Sequence, residues 1–156
     1  MEIIVWVGLF LYVIMLHIHY KILKKDYFSM LSNYQRVKRQ LQVMVYWRKY
    51  ECENQLLAEY LRTNHMKKVA IYGMAEIGNC LLDNLDMNGI EVVYGIDGGI
   101  GTSWRRKLRM YDMDDDLEAV DAILITVYDP EEKIKKVLRT KTEATILYLE
   151  EIVCWK

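Results

Sequence analysis

Proline and cysteine are scarce in this sequence, and each shortage excludes a class of protein. The 156 residues include one proline, and 53% of them are hydrophobic, which excludes a disordered chain. The three cysteines, Cys52, Cys80 and Cys154, are scattered and lack the spacing of metal ligands. They are typical of reduced thiols in a cytosolic setting rather than of a disulfide framework.

Recognisable catalytic motifs are also missing. The sequence has no G-x-S-x-G nucleophile elbow, no P-loop lysine and no His/Cys cluster of the kind that binds a metal. The Tyr-x-x-x-Lys pairs Tyr20/Lys24, at the end of the first apolar run, and Tyr34/Lys38 both lie outside the α/β segment described below. The sequence therefore leaves open whether the protein is an enzyme.

Charged residues are absent from Ile3–Tyr20, a run of eighteen residues. As a helix this run is roughly 27 Å long, close to the hydrocarbon core of a bilayer at about 30 Å. Three lysines follow it in "KILKK", whereas only Glu2 precedes it. The positive-inside rule predicts a single-pass anchor over residues 1–25, with the rest of the chain in the cytoplasm. The alternatives are a signal peptide, which would need a small-residue cleavage site, and a helix packed on a partner protein.

Residues 26–64 are predicted to form a helical connector. Their apolar residues recur at three- and four-residue spacing (Tyr34, Val37, Leu41, Met44), which indicates one or two amphipathic helices. The segment 21–68 has a net charge of +7, from eleven Lys/Arg and four Asp/Glu. Anionic lipid headgroups attract such a basic segment by on the order of 1 kcal/mol per cation. Membrane lipid is therefore an expected partner, and nucleic acid is not.

Residues 65–156 carry alternating strand-like and helix-like segments, with a net charge of −7 over 69–156 from ten Lys/Arg and seventeen Asp/Glu. The predicted strands are 68–73, 90–97, 121–127 and 144–149, with a weaker one near 108–112. The predicted helices are 77–89 and 130–140, the second beginning at Pro130. Strands that are apolar on both faces and alternate with helices indicate an α/β fold with a parallel sheet.

The segment "VAIYGMAEIGNCLLDNL", residues 69–85, has the pattern of a phosphate-binding turn. Gly73 is predicted to make the turn after the strand, and Gly78 to let the following helix lie close to it. Ala75 occupies the place of the middle glycine. Asp97 ends the next strand, nineteen residues after Gly78, where a carboxylate can accept hydrogen bonds from ribose hydroxyls. The pattern predicts a nucleotide site, and the alternative is a nucleotide-binding fold whose site is empty.

The combined pattern "KKVAIYGMAEIGNCLLDNL…IEVVYGID…VDAILITVYD…ATILYLEEI" resembles the Rossmann modules of bacterial surface-polysaccharide biosynthesis proteins over roughly residues 55–154. The resemblance implies a Rossmann-like sheet flanked by helices, after the transmembrane helix and connector. It also implies a pocket for NAD(P) or a nucleotide-sugar, lined by Gly73, Met74, Ala75, Glu76, Ile77, Gly78 and Asp97. Glu76 departs from the pattern, because an acid near a helix N-terminus competes with a bound pyrophosphate.

The loop "GGIGTSWRRK", residues 98–107, follows Asp97. Its three glycines and the cations Arg105, Arg106 and Lys107 suit a loop that closes over a ligand's phosphates. A solvated basic loop is the alternative, and the sequence does not choose between the two.

Three functions follow as hypotheses. The first is a membrane-anchored, non-catalytic module that binds a nucleotide, a nucleotide-sugar or a partner enzyme, such as a glycosyltransferase, in envelope polysaccharide assembly. The second is a small NAD(P)-dependent enzyme that completes its site by forming a homo-oligomer. The third is a ligand-sensing domain of a membrane transport system.

Overall fold

The structure is a computed structural model that describes residues 2–52, 57–98 and 108–153. It divides into two compact units, residues 1–38 and 39–156. The first unit belongs to helix α1 (Glu2–Cys52), which is one continuous helix. An eighteen-residue window of α1 has a mean hydropathy of 1.5 and no buried residue. By length and composition α1 can cross a membrane, so the long apolar N-terminal helix is confirmed.

The second unit contains a five-stranded sheet in which every pairing is parallel. The strands are β1 (Lys68–Tyr72), β2 (Glu91–Ile96), β3 (Arg109–Tyr111), β4 (Ala122–Ile125) and β5 (Thr145–Tyr148). The helices are α2 (Leu57–Thr63), α3 (Glu76–Met87), α4 (Lys133–Leu138) and α5 (Leu149–Val153). The α/β class and each of the five predicted strands are confirmed, including the short strand near 108–112.

The strand order is β3-β2-β1-β4-β5. The chain therefore moves outward from β1 to β3 and then returns to the other side of β1 to form β4. Val69 pairs with Ala122 and Tyr72 with Ile125, so β1 and β4 end together. The carboxyl ends of β1, β2 and β4 consequently lie at one edge, where the direction of the chain reverses. Open parallel sheets form a crevice at such a point.

Apolar side chains cover both faces of the sheet. One face packs Val69 and Ile71 of β1 with residues from α1, α2, α3 and α5, and the other packs Ala70 with residues from β2, β4 and α4. This two-sided burial explains why the strands read as continuous apolar runs. Val43 and Trp47 of α1 are part of the core, at 7% and 8% exposure.

Part of the predicted connector thus belongs to the second unit, because residues 39–63 lie within it. The division of the chain into 1–25, 26–64 and 65–156 itself stays a prediction.

Helix α4 begins later than Pro130, where the sequence predicted its start. The Asp129 carboxylate accepts hydrogen bonds from the N–H groups of Lys133 at 3.0 Å and Ile134 at 2.8 Å. Glu132 has a left-handed conformation with φ of 52°, which a helix interior does not allow. Pro130 therefore lies in the turn before α4, and Asp129 supplies the helix with its cap.

Candidate functional site

Gly73 makes the turn after β1 with φ of +90°, a conformation that favours glycine. Its N–H donates to the carbonyl of Ile96 at 2.8 Å. A Cβ atom at this position would overlap Cγ1 of Val127 and lie 2.8 Å from the hydroxyl of Thr126. Both backbone conformation and space therefore require glycine here.

Gly78 lies in the first turn of α3, against the turn that Gly73 makes. A Cβ on Gly78 would overlap the carbonyl oxygen of Gly73 and lie 3.0 Å from its carbonyl carbon. The two glycines, at this spacing, thus allow one tight turn between β1 and α3. This close packing is also what a phosphate-binding turn needs, because it brings the start of the helix next to the end of the strand.

Asp97 lies directly after β2 and is half-buried. Its Oδ2 accepts a hydrogen bond from the N–H of Met74 at 2.9 Å, and its own N–H donates to the carbonyl of Tyr111 at 3.1 Å. The glycine turn and the acid that the sequence singled out are therefore adjacent. One carboxylate oxygen holds the backbone of the turn, an arrangement that pattern reasoning did not anticipate.

The N-terminus of α3 has no side-chain cap. Ala75 is the N-cap residue and makes no side-chain hydrogen bond. The N–H groups of a first helical turn have no intrahelical partner, and with the helix dipole they attract an anion. Ala75 and Glu76 are both exposed, so this end of the helix faces solvent. The Glu76 side chain adds a negative charge to the same first turn.

Two of the predicted site residues have side chains in the core. Met74 is 1% exposed and Ile77 is 6% exposed. Only their backbone atoms can contact a ligand at the turn. Of the predicted site residues, Ala75, Glu76 and Asp97 have side chains that are at least partly exposed.

Two polar side chains that the sequence analysis did not select fix the geometry of the turn. The Asn79 amide donates to the carbonyls of Met74 at 2.8 Å and Ala75 at 3.0 Å. The Thr126 hydroxyl lies within hydrogen-bond distance of the carbonyls of Gly73, at 2.7 Å, and Tyr72, at 3.0 Å. Thr126 could have been selected from the sequence, because it is a polar residue near the end of the apolar run "DAILITV".

Carboxylates give this edge of the sheet a negative field. The pKa of the Tyr72 phenol is raised by burial first, and then by the charges of Asp97, Asp129 and Asp112. Tyr72 is therefore protonated at neutral pH and can donate a hydrogen bond. Among the described residues, no group of three or more His, Cys, Asp or Glu side chains could hold a metal ion. The predicted phosphate-closing cations Arg105, Arg106 and Lys107 lie outside the described residues.

No family model matches this chain, and comparisons with curated proteins and with solved structures also find no significant match. The resemblance to polysaccharide biosynthesis modules therefore stays a prediction, and the site has to be argued from the chain's own residues.

Proposed function

We propose that the protein is a membrane-anchored Rossmann-like module that binds a nucleotide or nucleotide-sugar, without catalysis of its own. The observation that carries the proposal is the 2.9 Å hydrogen bond between the Met74 N–H and the Asp97 carboxylate. This bond places the glycine turn, the uncapped start of α3 and an acid together. The strand order 3-2-1-4-5 supports the Rossmann-like assignment, since the fold uses this order and binds ligands at the reversal point.

The ligand's phosphate is expected at the backbone N–H groups of residues 75–78. The ribose is expected at Asp97, because the end of β2 places this acid beside the glycine turn, where dinucleotide-binding folds hold the ribose. The Ala75 methyl and the Glu76 charge both weaken the fit. We therefore expect a Kd in the micromolar to millimolar range, roughly −8 to −4 kcal/mol.

The absence of catalytic motifs favours a module that presents its ligand to another protein. The resemblance noted above suggests a glycosyltransferase or another enzyme of envelope polysaccharide assembly as that partner. NAD(P) is the alternative ligand, and turnover of NAD(P) by a homo-oligomer would indicate the oxidoreductase hypothesis instead. A response of a membrane transport system to the bound ligand would indicate the sensing hypothesis.

The membrane placement has its own test. With the apolar start of α1 as a single-pass anchor and the rest of the chain in the cytoplasm, all three cysteines lie on the cytoplasmic side. An impermeant maleimide should therefore label them only after the cells are permeabilised. Labelling of intact cells would overturn the orientation, and release by alkaline carbonate would overturn the anchor.

Titration of the full chain in detergent with NAD(H), NADP(H), UDP and UDP-sugars tests the ligand. Asp97→Ala should weaken binding by about 1–3 kcal/mol, the contribution of a hydrogen bond to a charged group. Asp97→Asn keeps an oxygen that can accept from Met74, and so separates loss of the ligand contact from loosening of the turn. Glu91→Ala, at the exposed amino end of β2, is the matched control.

The proposal fails if none of these ligands binds at millimolar concentration. It also fails if Asp97→Ala binds as the unchanged chain does. The glycine turn would then be a structural joint only.

A further inference from the structure

A cavity lies at the carboxyl edge of the sheet, beyond the ends of β4 and β5. It has a volume of about 220 Å³. Its walls come from α1, from the segment after β4 and from the start of α5. At roughly 30 Å³ per water molecule the space equals about seven waters, which is suited to one small ring rather than to a whole nucleotide.

This cavity lies beside the glycine turn and shares two residues with its surroundings. Thr126 and Val127 both line it. The same two residues surround Gly73, since the Thr126 hydroxyl is 2.7 Å from its carbonyl oxygen and a Cβ on Gly73 would overlap Val127. A ligand whose phosphate lies at the start of α3 can therefore extend past Thr126 into the cavity.

The lining is rich in hydrogen-bonding groups and is net negative. It contains four carboxylates and one guanidinium, from Asp129, Glu132, Glu150, Glu151 and Arg39. The hydroxyls of Thr126, Tyr128 and Tyr148 also belong to it.

Several of the lining acids already have partners within the protein. Tyr148 donates its hydroxyl to Asp129 at 2.9 Å, and Arg39 donates to Glu150 at 2.9 Å. The Glu151 carboxylate accepts from Lys135 at 3.1 Å. Glu132 is exposed on the rim of the cavity. Carboxylates only accept hydrogen bonds, so these walls favour groups that donate them and repel anions.

We propose that this cavity binds the non-phosphorylated end of the ligand, a neutral or cationic ring that bears hydroxyl or amino groups, and that it rejects a carboxylated ring. The inference rests on the proposed function and deepens it, because it selects nucleotide-sugars among the nucleotides and separates the sugars by charge. Glu132 contributes to this selection through its charge at the rim.

The experiment compares four probes on the full chain in detergent by calorimetry: UDP, UDP-glucose, UDP-glucosamine and UDP-glucuronate. UDP-glucosamine differs from UDP-glucose by an amino group at the second sugar carbon, and UDP-glucuronate differs from it by a carboxylate at the last sugar carbon. We expect UDP-glucose to bind at least as tightly as UDP. We expect UDP-glucosamine to bind about tenfold more tightly than UDP-glucuronate, because one interaction between the charge of the sugar and a partly solvated carboxylate is about this strong.

The Glu132→Gln variant should reduce the difference between the aminated and carboxylated sugars to about threefold or less. Glu131→Gln is the matched control, because Glu131 is the exposed neighbour of Glu132 and pairs with Lys133 at 2.8 Å instead of lining the cavity. Melting curves of both variants check that they fold. Equal binding of the three UDP-sugars, or an unchanged difference in Glu132→Gln, would overturn the proposal.

Binding of UDP itself reports on the glycine turn and not on the cavity. If UDP, the UDP-sugars and the NAD(P) forms all fail to bind, the proposed function fails, and glucosamine and glucuronate without nucleotide then decide the cavity by NMR. Glucosamine should shift the ring signals of Tyr128 and Tyr148, whereas glucuronate should not. Identical spectra with the two sugars would overturn the cavity proposal as well.

Discussion

Arg39 of α1 and Glu150 of α5 form an ion pair across 111 residues of the chain, with the Arg39 Nε donating to the Glu150 carboxylate at 2.9 Å. The side chains are 39% and 32% exposed. We expect a double-mutant cycle with Arg39→Ala and Glu150→Ala to give a coupling of about 0.5–1 kcal/mol, since solvent screens a pair this exposed. Thermal unfolding of the full chain in detergent measures it. Arg48→Ala combined with Glu150→Ala is the control pair, and a coupling of zero for Arg39 would contradict the finding.

The residues after Arg39 in α1 also stabilise the sheet, because Val43 and Trp47 are buried in its core. A chain that begins at Arg39 should fold as an independent unit. A chain that begins at Leu56 should be less stable by several kcal/mol, because loss of one buried tryptophan side chain costs about 3–5 kcal/mol. Urea denaturation of the two shortened chains compares them. Equal denaturation midpoints would show that α1 contributes nothing to the core.

Replacement of Gly73 should destabilise the protein through two effects. In Gly73→Ala the positive φ adds strain of about 1–3 kcal/mol, and the overlap with Val127 adds about 1–3 kcal/mol more. Gly89 separates the two effects, because its φ is +71° but nothing lies within 4 Å of an added Cβ. Gly89→Ala should therefore lose only the strain contribution. Denaturation midpoints that fall equally in the two variants would contradict the packing described at Gly73.

A cap at α3 should improve stability and impair binding. Ala75→Asp supplies the N-cap acceptor that α3 lacks, which is expected to stabilise the protein by about 1 kcal/mol. The same carboxylate occupies the place expected for the ligand's phosphate, so nucleotide binding should weaken by about tenfold or more. Met87→Asp adds the same charge at the other, exposed end of the helix and serves as the control. If Ala75→Asp binds nucleotides normally, the phosphate lies elsewhere.

Asp121 should make stability depend on pH at the acidic end. Its Oδ2 accepts from the N–H groups of Lys67 and Lys68, both at 2.8 Å, which joins the starts of β1 and β4. These backbone hydrogen bonds lower the pKa of the carboxyl below its ordinary value of 3.8. Because the folded pKa is the lower one, the stabilisation is fully present above 3.8 and is lost as the pH falls through the folded pKa.

Asp121→Asn should therefore lower the melting temperature at pH 7. The difference from the unchanged chain should shrink below pH 3.8. Glu143→Gln, an exposed acid near the same edge, is the control. A difference that stays constant between pH 7 and pH 3 would show that the charge of Asp121 contributes nothing to stability.

The sequence alone determined the class of the fold and the place of the turn. Continuous apolar strands alternating with helical segments require a sheet covered on both faces, since such strands have no polar face to expose to water. Gly73, Gly78 and Asp97 could be selected because few residue types fit a left-handed turn, a close helix–strand approach or a ribose contact. The apolar run before the lysines likewise indicated a long N-terminal helix without any tertiary information.

Only the tertiary structure decided which groups meet. Asp97 bonds to the Met74 N–H, and Arg39 pairs with Glu150, because strand order and helix packing bring together segments that are distant in the chain. Local patterns carry no information on such distances. The start of α4 also depends on tertiary structure. Asp129 caps the N–H groups of Lys133 and Ile134, so the helix begins after Pro130. The cavity beside Thr126 also forms only when the chain folds, because its walls come from three separate parts of the chain.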